Sequence, residues 1–120
     1  IAVLGATFKP DSDDVRDSPA LDIAAQLQAA GATVVVHDPK RIEPARKRFP
    51  NLDYAEKVSD CVKGADAILH LTEWKEYREL DPTVIGQLVK SKFLIDGRNA
   101  LDRDKWRAAG WRVHALGRSD

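Results

Sequence analysis

The chain has 120 residues, 43% of them hydrophobic and 32% charged, and its 19 lysines and arginines are balanced by 19 aspartates and glutamates. One domain of this size buries enough surface for a single core, and a neutral balance supplies no overall field to gather nucleic acid or an anionic membrane. The one cysteine, Cys61, excludes an internal disulfide framework and fits a reducing, cytoplasmic setting, and no apolar run nears the ~20 residues of a membrane span.

Residues 1–4, Ile-Ala-Val-Leu, open the chain inside a strand-like run with no lead-in, so the sequence is read as a piece of a longer protein. Ser18 followed by Pro19 is a helix start, a cap and then a proline at the first helical position. Ala20, Leu21, Ile23, Ala24 and Leu27 give that helix one apolar face, and Gly31 ends it. A second strand is predicted over 33–37, short helices over 41–48 and 58–63, and a third strand over 67–71. Asp81 and Pro82 repeat the start signal ahead of Val84, Ile85, Leu88 and Val89. A fourth strand over 93–95, a helix over 102–109 stopped by Gly110, and a fifth strand over 112–116 complete the chain. Near-continuous apolar strands alternating with helices predict one domain over residues 1–120. Its class is α/β, a Rossmann-like doubly wound, mostly parallel sheet of five to six strands with helices on both faces. The first strand should be central, with ligands beyond the carboxyl ends of the strands.

The connection from the first strand to the first helix, residues 5–18, far exceeds the ~2–6 residues usual for such a link, and long connections of this kind are mostly functional. Set against the dinucleotide fingerprint Gly-x-Gly-x-x-Gly, Gly5 matches, but Thr7 and Pro10 stand where the second and third glycines belong. A side chain at the second position obstructs backbone approach to a pyrophosphate, and proline removes a donor. Asp38, after the second strand, stands where a ribose-binding acid would. One match against two failures argues against NAD binding by this chain in the usual mode. Lys9 and Arg16 could hold a phosphate by side chain, or could pair with Asp11, Asp13, Asp14 or Asp17. Asp96-Gly97-Arg98-Asn99 brings another cation to the same sheet edge, either for an anion or as a cap on a helix. Thr72-Glu73-Trp74 follows the third strand, with Trp74, like Trp106 and Trp111, read as core.

Gly5-Ala-Thr-Phe-Lys-Pro-Asp-Ser-Asp-Asp-Val-Arg-Asp-Ser-Pro-Ala20 resembles the stretch that opens the C-terminal domain of the UDP-glucose/GDP-mannose dehydrogenase family. Thr72-Glu73-Trp74 and Asp96-Gly97-Arg98-Asn99 resemble it too, in the same order and spacing, and the likeness covers essentially the whole chain. The Asp-Gly-Arg-Asn form is more similar to UDP-glucose enzymes than to GDP-mannose ones. UDP-N-acetylmannosamine enzymes share the architecture as well. The resemblance implies an enzyme that oxidises the C6 alcohol of a UDP-sugar to a carboxylate with two NAD⁺. It implies NAD⁺ on an N-terminal domain, a catalytic cysteine near a central helical region, and a homo-oligomer. For this domain it implies that Phe8, Lys9 and Arg98 contact the UDP-sugar. Arg16 would reach NAD⁺ held by the other domain, with Asp13 and Asp14 steadying that arginine. No catalytic residue is expected in this chain, because Cys61 lies in a helical context and reads as a buried structural thiol.

Two other functions fit less well. A phosphorylatable receiver has this size and sheet, but Asp13 and Asp14 lie too far past the first strand, and the third ends in Leu71-Thr72-Glu73 with no acceptor aspartate. A nucleic-acid surface over Lys40, Arg41, Arg46, Lys47 and Arg48 is broken by Glu43 and lacks interleaved aromatics. His37, His70 and His114 show no metal-ligand spacing and are read as structural.

Overall fold

The computed structural model describes residues 1–6, 19–39, 42–72, 74–97 and 101–115. It contains a six-stranded sheet in which all neighbours are parallel, in the order β3-β2-β1-β4-β5-β6. The strands are β1 (Ala2–Leu4), β2 (Val35–His37), β3 (Asp53–Tyr54), β4 (Ile68–His70), β5 (Phe93–Asp96) and β6 (Arg112–Ala115). Helices α1 (Pro19–Ala29), α2 (Ile42–Arg48), α3 (Val58–Val62), α4 (Lys75–Arg78), α5 (Pro82–Gly86) and α6 (Arg103–Ala108) fill the crossovers. The doubly wound reading holds: β1 is central, and strand order reverses between β1 and β4, the switch point at which such folds bind ligands.

Strand alternation divides the core between the two faces. Val3, Val36 and Leu69 meet Leu21 and Ala24 of α1 and Ala45 of α2 on one side. Ala2, Leu4, Ile68 and Leu94 meet helices α3 to α6 on the other, through residues such as Val62, Tyr77, Ile85 and Trp106. Both faces of the sheet are thus dry, which is why its strands read as apolar runs rather than alternating ones.

Side chains settle the helix ends. Asp81 accepts from the Thr83 N–H at 2.9 Å, so the start read from Asp81-Pro82 is capped, and Asp102 caps α6 by accepting the Lys105 N–H at 3.2 Å. Ser18, the other cap read from the sequence, lies outside the described residues. Trp106 and Trp111 pack edge to face with ring centroids 4.9 Å apart, and the Trp111 indole donates to the Pro82 carbonyl at 2.9 Å. Both are core residues, as predicted.

Three elements differ from the sequence reading. β3 and α4 were not expected, because a two-residue strand and a four-residue helix carry no measurable periodicity. Helix α5 stops at Gly86 although apolar spacing continues to Val89. The chain turns there so that Gly64 donates to the Leu88 carbonyl and Lys90 donates to the Ala65 carbonyl.

Leu94 is fully buried and belongs to the larger core cluster. Leu94→Ala should lower unfolding stability by about 2–5 kcal/mol through lost burial and a residual cavity. Urea unfolding with an unchanged slope checks this.

Candidate functional site

The candidate site is the carboxyl edge of β1, β2, β4 and β5, where polar groups collect inside an otherwise apolar protein. His37, Asp38, His70, Thr72 and Asp96 are the buried polar side chains of the described residues, and each sits at or just past a strand end. A polar group buried there needs partners, and the partners it finds are largely the backbone of the connections that leave the edge.

β1 is followed at once by Gly5, which has φ +113°. A Cβ at Gly5 would lie 2.3 Å from Thr72 Oγ1 and 2.8 Å from the Thr72 backbone nitrogen. The connection after β1 therefore packs against the connection after β4 with no room for a side chain. Backbone bonds hold the pair in place: Gly5 N–H donates to the His37 carbonyl at 2.8 Å, and Leu71 N–H to the Leu4 carbonyl at 3.0 Å. Next along, Asp38 turns its carboxylate inward. Its Oδ2 accepts the Ala6 N–H at 2.9 Å and the Trp74 indole N–H at 3.2 Å. Trp74 is buried as predicted, and its indole N–H also braces the site.

Two histidine pairs complete the framework. Tyr77 donates its hydroxyl proton to the His37 carbonyl at 3.0 Å and lies 2.8 Å from His37 Nδ1, which leaves Nδ1–H as the donor to the phenol oxygen. Burial lowers the His37 pKa from its ordinary 6.5, against the opposing pull of nearby Asp38, and burial drives the Tyr77 hydroxyl well above 10. His70 Nδ1 lies 2.9 Å from Asp96 Oδ1, with both side chains sealed from solvent. A carboxylate only accepts, so Nδ1 donates. Asp96 Oδ2 accepts the Leu101 N–H at 2.9 Å.

Phe8, Lys9, Arg16 and Arg98 lie outside the described residues, as do Glu73 and Asn99. The structure does bring together the described parts of all three motifs: Gly5 and Ala6, Thr72 and Trp74, and Asp96 and Gly97 share one edge. The pairs His37–Tyr77 and His70–Asp96 were missed in the sequence, since their members lie 40 and 26 residues apart.

The described residues do not fit NAD⁺ in the usual Rossmann mode. Asp38, the acid placed for a ribose, is 2% exposed and bonded to Ala6 and Trp74. Gly5 spends its missing side chain on Thr72. A groove of about 350 Å³ between α1 and the turn before β3 lies at the opposite, amino edge.

Cys61 is no nucleophile here. Its thiol is 2% exposed, donates to the Val35 carbonyl at 3.4 Å, and is pushed up to about 12 by burial. His114 is exposed on β6 and packs against Phe93.

A parallel sheet in this order, with backbone-clamped connections at its switch point, defines a Rossmann-like α/β class of domain. Comparison with known proteins is more specific: residues 2–103 match the family model for the UDP-glucose/GDP-mannose dehydrogenase family, UDP binding domain. The chain belongs to that family. It is 43% identical over 120 residues to UDP-glucose 6-dehydrogenase of Rhizobium meliloti strain 1021, covering 100% of this chain and 28% of that protein. It is 40% identical to UDP-glucose 6-dehydrogenase TuaD of Bacillus subtilis strain 168, covering 98% of this chain and 26% of that one. Among solved structures it resembles NDP-N-acetyl-D-galactosaminuronic acid dehydrogenase from Methanosarcina mazei Go1, with a TM-score of 0.84 and 30% identity, over 98% of this chain and 24% of that one. The chain thus spans about a quarter of these relatives.

Three outcomes follow. Gly5→Ala should destabilise the protein by at least about 2 kcal/mol, from positive-φ strain and the collision with Thr72, as read by denaturant melts. A thiol reagent such as DTNB should leave Cys61 unmodified in the native protein and react once urea unfolds it. Because the folded state binds a proton at His37 less readily than the unfolded state, stability should be full above pH 6.5 and fall as pH drops towards the lowered folded value. Thermal melts between pH 7.5 and 5.5 should therefore lose less stability for His37→Asn than for the unsubstituted protein.

Proposed function

We propose that this chain holds the UDP half of a UDP-sugar for an NAD-dependent nucleotide-sugar 6-dehydrogenase. The reaction is conversion of UDP-glucose and two NAD⁺ to UDP-glucuronate and two NADH. The observation that carries the reading is that the described parts of the three family motifs leave one sheet edge, at the switch point, as a hydrogen-bonded unit. Phe8, Lys9 and Arg98 are the residues assigned to the UDP-sugar, and Arg16 the residue assigned to NAD⁺ held on an N-terminal domain. A lysine ammonium and an arginine fork suit a diphosphate. Binding energy gathered on UDP, remote from C6, can then orient the alcohol for oxidation elsewhere in the enzyme. When bound, NAD⁺ supplies the hydride acceptor, while this chain's residues bind and orient. The intact enzyme is assigned to the cytoplasm as a homo-oligomer, with a central helical region supplying the reactive cysteine.

A second reading keeps the same domain and changes the sugar nucleotide to UDP-N-acetylmannosamine or GDP-mannose. It draws on the likeness to a dehydrogenase of an N-acetylated sugar nucleotide.

Calorimetry of UDP binding tests the assignment. Lys9→Ala and Arg98→Ala should each weaken UDP by about tenfold or more, as expected for charge-assisted bonds to phosphate. Unchanged affinity in both would remove these residues from the site. This chain alone, given UDP-glucose and NAD⁺, should form no NADH. Turnover sensitive to Cys61→Ala would contradict the proposal.

A further inference from the structure

We propose that His70 and Asp96 form a positioning pair that fixes the segment bearing Arg98 and thereby sets the affinity for the diphosphate of the UDP-sugar. The inference rests on the reading of the site just given.

His70 ends β4 and Asp96 ends β5, and the two are in register across the parallel pair. Gly97 N–H donates to the His70 carbonyl at 2.9 Å, so the chain leaving β5 is tied to His70 by its backbone. Asp96 then spans the segment that follows. Its Oδ1 takes the His70 Nδ1–H and its Oδ2 takes the Leu101 N–H, each at 2.9 Å. Both ends of the stretch between Gly97 and Leu101 are thus bound to the same two residues. The intervening positions are Arg98, Asn99 and Ala100. A guanidinium fork needs orientation as well as charge, so a small displacement loses a bidentate contact to phosphate.

The pair is chemically constrained. Asp96 must accept on both oxygens, and an amide would set its NH₂ against one of the two N–H donors. On the histidine, Nδ1 is the working atom, because Nε2 is buried without a hydrogen-bond partner among the described residues. The Tyr77 ring packs edge-on to His70 with centroids 5.6 Å apart and keeps the imidazole in its plane.

These facts dictate the experiment. Asparagine places an N–H near the position of histidine Nδ1, glutamine near that of Nε2, and leucine offers neither. Binding of UDP is measured by calorimetry, and amide exchange at Leu101 by NMR. His70→Asn should keep UDP affinity within about twofold, while His70→Gln and His70→Leu should weaken it about tenfold and speed Leu101 exchange. In an Arg98→Ala background the Gln and Leu substitutions should cost no further affinity, which a general loss of stability would not produce. Asp96→Asn is the second route should the histidine variants unfold, and should weaken UDP in the same way. Equal affinity across the three His70 variants, or equal losses with and without Arg98, would overturn the pair while leaving the site reading intact. Absence of UDP binding by the unsubstituted chain would overturn the site reading, and the inference with it.

Discussion

A carboxylate sealed under a sheet edge must be given donors, or it destabilises the fold. Asp38 and Asp96 are sealed in this way, and the donors each receives include a backbone N–H of a connection leaving the edge, Ala6 in one case and Leu101 in the other. This requirement ties the core to the site. The burial that would otherwise cost stability fixes the exits of β1 and β5, and two further donors, Trp74 and His70, fix the exit of β4 against both. Gly5 packs against Thr72 in the same seam with no room for a side chain. The described part of this edge is therefore a hydrogen-bonded base.

That base is wired unlike the dinucleotide site of a Rossmann-type fold. In the usual cofactor site the acid after the second strand faces out to a ribose and glycines leave room for pyrophosphate. Here Asp38 faces in and Gly5 is filled by a neighbouring turn. Cations on side chains are then left to recognise phosphate, which is the chemistry assigned to Lys9 and Arg98. The same sheet order thus presents a different edge, and fold alone does not set the ligand.

Much of the fold was legible in the sequence. Apolar runs located five strands because the sheet is dry on both faces, and Asp81-Pro82 and the glycines at 31 and 110 punctuated the helices as the cap and positive φ values require. β3 was not legible, since Asp53 and Tyr54 offer no pattern and the tyrosine is held by carbonyls of Ala45 and Phe49. The site was legible as motifs but not as a network. Asp38 was noticed for the wrong partner, a ribose. His37 and His70 gave no signal, because their partners Tyr77 and Asp96 are distant in the chain and adjacent only once the sheet has formed.

The central claim is that one edge of this sheet is a uridine-nucleotide half-site. Its most direct test is an NMR titration of the isotopically labelled chain with UDP, GDP and NAD⁺. The account predicts shifts confined to residues 5–18 and 96–101, strongest for UDP. Stronger shifts with NAD⁺, or shifts centred on another edge of the sheet, would contradict it.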